Sequence, residues 1–212
     1  MLKPRGLRPS IDYGVRRMTI DAAGGPGRLL ADYATIPIAF RVASRLAATQ
    51  GAGGAFVLQE HSVAPGFIKD YDAISERPTE WAQRFDTSQW RMWLARIDGV
   101  VAGGATVAFG DTSLEMLEGR SDLAVLWDIR VAPDYRGRGL GRALLHEVEA
   151  WARARRCAEV VVETQNINVP ACRFYAALGF ELRTVRAEEY PSCLGEDQFL
   201  WYKPLEDPAT TG

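Results

Sequence analysis

The chain is expected to fold as a mixed α/β protein, with an antiparallel first half and a second half in which strands alternate with helices. Two features of the sequence carry that expectation. Asp98-Gly99 joins the apolar runs Arg91–Ile97 and 100–109, and an Asp-Gly pair at such a junction suits a tight antiparallel hairpin. From Leu123 onward the periodicity reads strand, helix, strand, helix, strand over 123–131, 140–155, 159–165, 169–178 and 180–185. Strands separated by helices of about ten or more residues imply parallel crossovers, so a mixed sheet with helices packed on it follows.

The other elements follow in chain order. Residues 15–20 suit a first short strand, and the glycines of 24–27 break the chain after it. In 29–48 apolar residues recur at helical spacing, so this stretch is expected to be a helix that ends at the glycines of 50–54. A strand is expected over 55–63, and a short helix over 77–85 with Pro78 in its first turn. Residues 198–202 suit a closing strand, and the two polar ends of the chain are expected to fray. The 212 residues are read as one domain, 1–212, with a first half at 15–110 and a second at 121–205.

Composition narrows the chemistry. With 47% hydrophobic and 25% charged residues the chain has the balance of a soluble globular protein, long enough to bury a core without disulfides or metal. Cys157, Cys172 and Cys193 lie 15 and 21 residues apart, the spacing of neither a zinc site nor a disulfide framework, and they read as reduced, packed thiols. His61 and His146 are isolated, so no metal is expected. No apolar run reaches the ~18 residues of a membrane span and the first thirty residues do not read as a leader, which points to the cytoplasm and away from membrane partners. A net charge of −2 argues against a general grip on nucleic acid. A homodimer is the default assembly.

An anion must therefore be held locally, and Arg136-Gly137-Arg138-Gly139-Leu140-Gly141 is placed to do it. The stretch follows a strand and opens a helix whose apolar stripe is Leu140, Ala143, Leu144, Val148 and Trp151. Its glycines let backbone N–H groups approach a ligand, and the helix start adds partial positive charge, which suits a phosphate or diphosphate. It lacks the Gly-Lys-Ser/Thr that holds a triphosphate with magnesium. Read as a dinucleotide turn, its third glycine position falls on Arg142. A solvated basic turn capping a helix is the plainer alternative.

Taken with its surroundings, Arg136-x-x-Gly139-x-Gly141 resembles the coenzyme A signature of the GNAT superfamily of N-acetyltransferases. Trp127-Asp128-Ile129-Arg130-Val131-Ala132-Pro133 resembles the strand and turn that precede it, and Asn168-Val169-Pro170-Ala171-Cys172-Arg173-Phe174-Tyr175, with Gly179-Phe180, resembles the later block of that family. Glu163-Thr164-Gln165-Asn166-Ile167-Asn168 together with Trp201-Tyr202 is similar more narrowly to the streptothricin acetyltransferase branch. The resemblance covers 85 or so residues. It implies a mostly antiparallel, twisted sheet with flanking helices and one splayed parallel strand pair. It also implies acetyl-CoA as co-substrate and direct transfer to an amine within a ternary complex.

The same resemblance implies roles for individual residues. The backbone of Ile129, Arg130 and Val131 would pair with the pantetheine arm, and an N–H there, taken to be that of Ile129, would stabilise the oxyanion. The N–H groups of Arg136, Gly137, Arg138, Gly139, Leu140 and Gly141 would hold the diphosphate, with Arg136 or Arg138 and, more weakly, Arg142 as counter-charge. Asn168, Cys172 and Tyr175 would complete the coenzyme's surroundings, Tyr175 also serving as general acid toward the departing thiolate. Asn168 reads equally as the N-cap of the following helix, and Tyr175 as a flank of the core. Proton removal from an ammonium acceptor needs a base, and Asp128 and Glu163, each inside an apolar strand, are the candidates. On strand alternation, Asp128 shares a face with Leu126 and Arg130, opposite Trp127, Ile129 and Val131. A salt bridge to Arg130 is the plainer reading of Asp128, and a structural hydrogen bond that of Glu163. Asp70, Asp72, Glu76, Glu188 and Glu189 either line a pocket for a small cationic amine or are solvated loop charges. The rivals are a coenzyme A-binding sensor without turnover and an enzyme acting on a protein amino group.

Overall fold

The computed structural model describes residues 17–25, 27–75, 77–110, 114–187, 189–190 and 195–205. Seven strands form one sheet: β1 (Met18–Gly24), β4 (Arg91–Ile97), β5 (Val100–Ala108), β6 (Leu123–Val131), β7 (Glu159–Gln165), β8 (Glu181–Arg186) and β9 (Gln198–Pro204). They lie in the order β1-β4-β5-β6-β7-β9-β8, and every neighbouring pair is antiparallel except β6 and β7. Asp98 and Gly99 join β4 to β5 with φ of 51° and 83°, the two left-handed residues of a tight hairpin turn.

Both faces of the sheet are covered, which is why β6 and β7 read as continuous apolar runs. On one face lies α3 (Leu140–Ala154), whose Leu140, Leu144, Leu145, Val148 and Ala152 are buried against Ala105, Val107, Ala124, Leu126, Val160 and Val162. The three leucines are each 2% exposed or less, and burial of such a side chain contributes on the order of 2 kcal/mol. Trp151, expected in this stripe, lies half-buried at its edge, against Trp93 and Phe109. α4 (Val169–Ala177) packs on the same side, with Val169, Cys172 and Tyr175 buried. The other face is closed by two single turns, α1 (Leu30–Tyr33) and α2 (Trp81–Arg84), which bring Tyr33, Ile36, Trp81 and Trp90 against Met92, Leu94, Leu123, Val125 and Val161. The helix expected at 77–85 is thus a 3-10 turn followed by α2. No helix among the described residues is long and apolar enough to cross a membrane.

The helix expected over 29–48 is the main correction. Only Leu30–Tyr33 is α-helical; Phe40–Gln50 is a strand, β2, which pairs antiparallel with β3 (Phe56–Lys69) as a separate two-stranded arm. Val42 and Leu46 are buried in β2, and a separation of four fits one face of a strand as well as one face of a helix. Phe40, Ser44 and Ala48 are half-buried between exposed Arg41, Ala43 and Arg45, so the true period is two. Pro37 separates the two regimes: it has no N–H to donate and disfavours helical backbone at Ile36. β3 also runs six residues past Val63, and that extension carries Lys69 to the edge of the site.

Candidate active site

β6 and β7 pair over only four positions, from Leu123 opposite Glu159 to Leu126 opposite Val162. Beyond them β6 continues to Val131 and β7 to Gln165 with no pairing between the two, so the sheet opens there as the resemblance implies. A local irregularity lies at the point of parting. The register of β6 on β5 passes from Asp128 opposite Thr106 to Leu126 opposite Val107, leaving Trp127 as a bulge. Bulges bend the strand that carries them, and an extra residue reverses the side-chain phase. The expected alternation is corrected accordingly. Leu126 packs on the α3 face with Ile129 and Val131, whereas Trp127 and Asp128 both turn to the opposite face, toward Trp81 and Tyr33.

The opening is one wall of a cavity of about 990 Å³. At one end lie Arg136, Gly137, Gly139, Leu140, Gly141 and Arg142. Gly137 and Gly139 have φ of 71° and 82°, and a side chain on Gly137 would meet nothing within 4 Å, so the backbone is bare to the cavity. Gly141 has a different task. A Cβ there would stand 3.2 Å from the Phe174 ring, so its absence lets α4 rest on the first turn of α3. The Arg136 guanidinium donates to the carbonyls of Val131 (2.9 Å) and Ala39 (3.2 Å), tying the turn to the end of β6 and to the segment before β2. Arg138, between Gly137 and Gly139, is exposed and is not among the residues that line the cavity.

On α4 the cavity face is Pro170, Ala171, Phe174 and Tyr175. Tyr175 is 3% exposed and meets Phe174 and Phe180 edge-on at 5.2 and 5.3 Å, so it belongs to the core and to the cavity wall alike. Burial holds its phenol well above the usual range, which keeps it protonated and able to donate. Asn168 is the N-cap of α4, its Oδ1 accepting from the Ala171 N–H at 3.3 Å, and the residue also lines the cavity. Cys172 is a correction. It turns toward the sheet, 1% exposed, with its Sγ 3.3 Å from Thr164 Oγ1, and burial raises the thiol to about 11. It lies in the core rather than on the cavity.

The other end is built from carboxylates. The Arg130 side chain is 2% exposed and sits between two of them. It donates to Asp128 at 2.8–3.1 Å and to Asp72 at 2.7 and 2.8 Å, with a further bond to the Ile36 carbonyl at 3.3 Å. Tyr33 adds a bond to Asp128 at 2.8 Å. Burial pushes the Asp128 carboxyl up, against the pull of Arg130 and Tyr33. The salt-bridge reading of Asp128 is therefore realised, and the Arg130 side chain is held by the two carboxylates.

Glu163 is held by neutral groups. Tyr190 donates to its Oε1 and Gln198 Nε2 to its Oε2 at 2.8 Å, and burial raises its pKa. Lys69 pairs with Glu196 at 2.7 Å with both side chains 10% exposed or less, and Tyr71 donates to Gln165. Lys69, Tyr71, Asp72, Tyr190 and Glu196 all line the cavity. Sequence reasoning missed the parts of Lys69, Tyr71, Tyr33 and Glu196, and no local pattern marks them: they arrive from a misassigned arm, a turn and a loop. Asp70 caps the turn after β3 by accepting from the Asp72 N–H, and Glu189 is exposed; neither lines the cavity. Glu76, Glu188 and Cys193 lie outside the described residues.

Known proteins are similar to this chain in sequence and in fold. A streptothricin acetyltransferase A of Bacillus subtilis (strain 168) is 40% identical over 81 residues, 37% of this chain and 47% of that protein. A streptothricin acetyltransferase of Streptomyces lavendulae is 26% identical over 157 residues, 74% of this chain and 79% of that one. The chain thus spans about half the length of the first relative and more of the second. A crystal structure from Bacillus anthracis str. Ames, determined in complex with acetyl coenzyme A, superposes with a TM-score of 0.71 at 21% identity, over 88% of this chain and 99% of that one. Residues 59–180 match the acetyltransferase (GNAT) family, more than half of the 212 positions. Because that match takes in both strands of the parted pair and the turn and helices that flank them, the chain belongs to the acetyltransferase (GNAT) family.

Proposed function

We propose that the protein transfers the acetyl group of acetyl-CoA to a primary amine of a small cationic acceptor, with both substrates bound at once. The observation that carries this reading is a single cavity with two unlike ends on either side of the parted strands. One end offers bare N–H groups at the start of a fifteen-residue helix beside Arg136 and Arg142, which suits a diphosphate. The other end carries Asp72 and Asp128 around one arginine, together with Glu163, and so has an excess of negative charge. The Bacillus anthracis neighbour holds acetyl coenzyme A, and the named relatives act on streptothricin; both support the reading.

In this reading the diphosphate lies on the N–H groups of Arg136 to Gly141, and the pantetheine arm runs along the free backbone edge of Ile129, Arg130 and Val131 beside Asn168. Glu163 takes a proton from the acceptor's ammonium. The freed amine nitrogen bonds to the acetyl carbonyl carbon, the carbon–sulfur bond breaks, the thiolate takes a proton from Tyr175, and the second proton that the nitrogen sheds restores the phenol. Glu163 is preferred to Asp128 as base because Asp128 is already committed to Arg130 and Tyr33.

Release of coenzyme A thiol, followed over a panel of polyamines, aminoglycosides and amino-terminal peptides, tests this reading, with calorimetric titration of acetyl-CoA alongside. Binding with release on small cations is expected, and Tyr175→Phe should lower turnover more than it weakens acetyl-CoA binding. Release only on peptides would move the acceptor to a protein amino group. Binding without release on any amine would make the protein a sensor, and absence of binding would end the proposal.

A further inference from the structure

Resting on the reading of Glu163 as the group that takes the amine's proton, we infer that Tyr190 is a positioning residue which orients that carboxylate and keeps it ionised. The inference comes from the contrast between the two carboxylates at the acceptor end. Asp128 is met by the guanidinium of Arg130 on both oxygens. Glu163 has one neutral donor on each oxygen, the Tyr190 phenol on Oε1 and the Gln198 amide on Oε2. A carboxylate clamped by a buried cation makes a poor base, because the cation favours its ionised form; neutral donors fix its direction while leaving it basic enough to accept a proton.

Other described groups bear on Glu163. Gln198 is itself oriented: Arg186 Nη1 donates to its Oε1 at 3.1 Å, which turns the amide nitrogen toward Glu163. Arg186 lies 4.0 Å from Glu189, so its charge is shared before it reaches the cavity. Glu189 raises the proton affinity of Glu163 and Arg186 lowers it, while Tyr71, in the turn after β3, lies within electrostatic reach of both Glu163 and Glu196. Tyr190 is a half-buried residue of the connection between β8 and β9, outside the 59–180 span of the family match. The group that sets the behaviour of the base thus comes from a segment outside the span that the family match covers.

The test is a pair of titrations on the full chain. In protein labelled with carbon-13 at the glutamate carboxyl, the Glu163 signal is identified by its loss in Glu163→Gln, and its titration midpoint is compared between wild type and Tyr190→Phe. Removing a hydrogen bond to a charged acceptor is expected to raise the midpoint by about one pH unit. The acid limb of kcat/KM, measured with saturating acetyl-CoA and the amine giving fastest thiol release, should move with it. Turnover below the limb then falls about tenfold more than turnover above it. Tyr190→Leu, which removes the donor without retaining the ring, should move both readouts in the same direction and serves if the first variant melts early. An unmoved midpoint, or a loss of activity uniform in pH, overturns the inference. If Glu163→Gln keeps the wild-type acid limb, the reading of Glu163 as base has failed instead, and the midpoint alone still judges whether Tyr190 tunes it.

Discussion

The two ends of the cavity are made in opposite ways. The anion end is a run of consecutive residues, Arg136 to Arg142, whose contribution is mostly backbone: two left-handed glycines, a helix start, and a third glycine that admits Phe174. The acceptor end is assembled from β6, β7, the turn after β3 and the β8–β9 connection, and its contribution is almost wholly side chain. Contact pairs there join residues 58, 94 and 127 positions apart. A backbone cradle depends on conformation and tolerates exchange of its outward side chains. A side-chain assembly depends on each partner being present, because a buried charge that loses its partner is expensive.

That contrast can be tested by substitution at each end. The largest effect is expected from Arg130→Met, which leaves Asp128 buried beside Tyr33 without its cation. Chemical denaturation should show a loss of about 3–5 kcal/mol, and a loss below about 1 kcal/mol would mean that the carboxylates relax into solvent. Gly141→Leu comes next. It forces atoms into the space taken by the Phe174 ring and should lower stability by about 1–3 kcal/mol while weakening acetyl-CoA binding in calorimetry. If binding were untouched, the seat of α4 on α3 would not matter to the cradle. The smallest is Arg138→Ala, an exposed side chain away from the cavity, for which stability and acetyl-CoA affinity should each change by no more than about 0.5 kcal/mol. A larger drop in affinity would return Arg138 to the diphosphate and give the anion end a side-chain component.

How much of this could be read before folding differs between the ends for the same reason. The turn, the helix after it, the Asp98-Gly99 hairpin and the alternation of strand and helix after Leu123 are local, since each is set by glycine conformation, by apolar period or by a pairing of adjacent residues. Asn168 as a helix cap was legible for that reason as well. The arm was misread because Val42 and Leu46 satisfy two periods at once, and only pairing with β3 chooses between them.

Folding in three dimensions decided the rest. The bulge at Trp127 cannot be seen in β6 alone, since it is a mismatch against β5, yet it determines which face Asp128 presents. Asp128 and Glu163 look alike in the sequence, each a carboxylate within an apolar strand. What separates them is that Arg130 and Asp72 close on one while Tyr190 and Gln198 meet the other. The sequence by itself therefore determined the glycine turn and the helix it opens, the cradle proposed for an anion. Which acid can serve as a base was left to contacts between distant segments, because the proton affinity of a buried carboxylate is set by the charges and donors around it rather than by its neighbours along the chain.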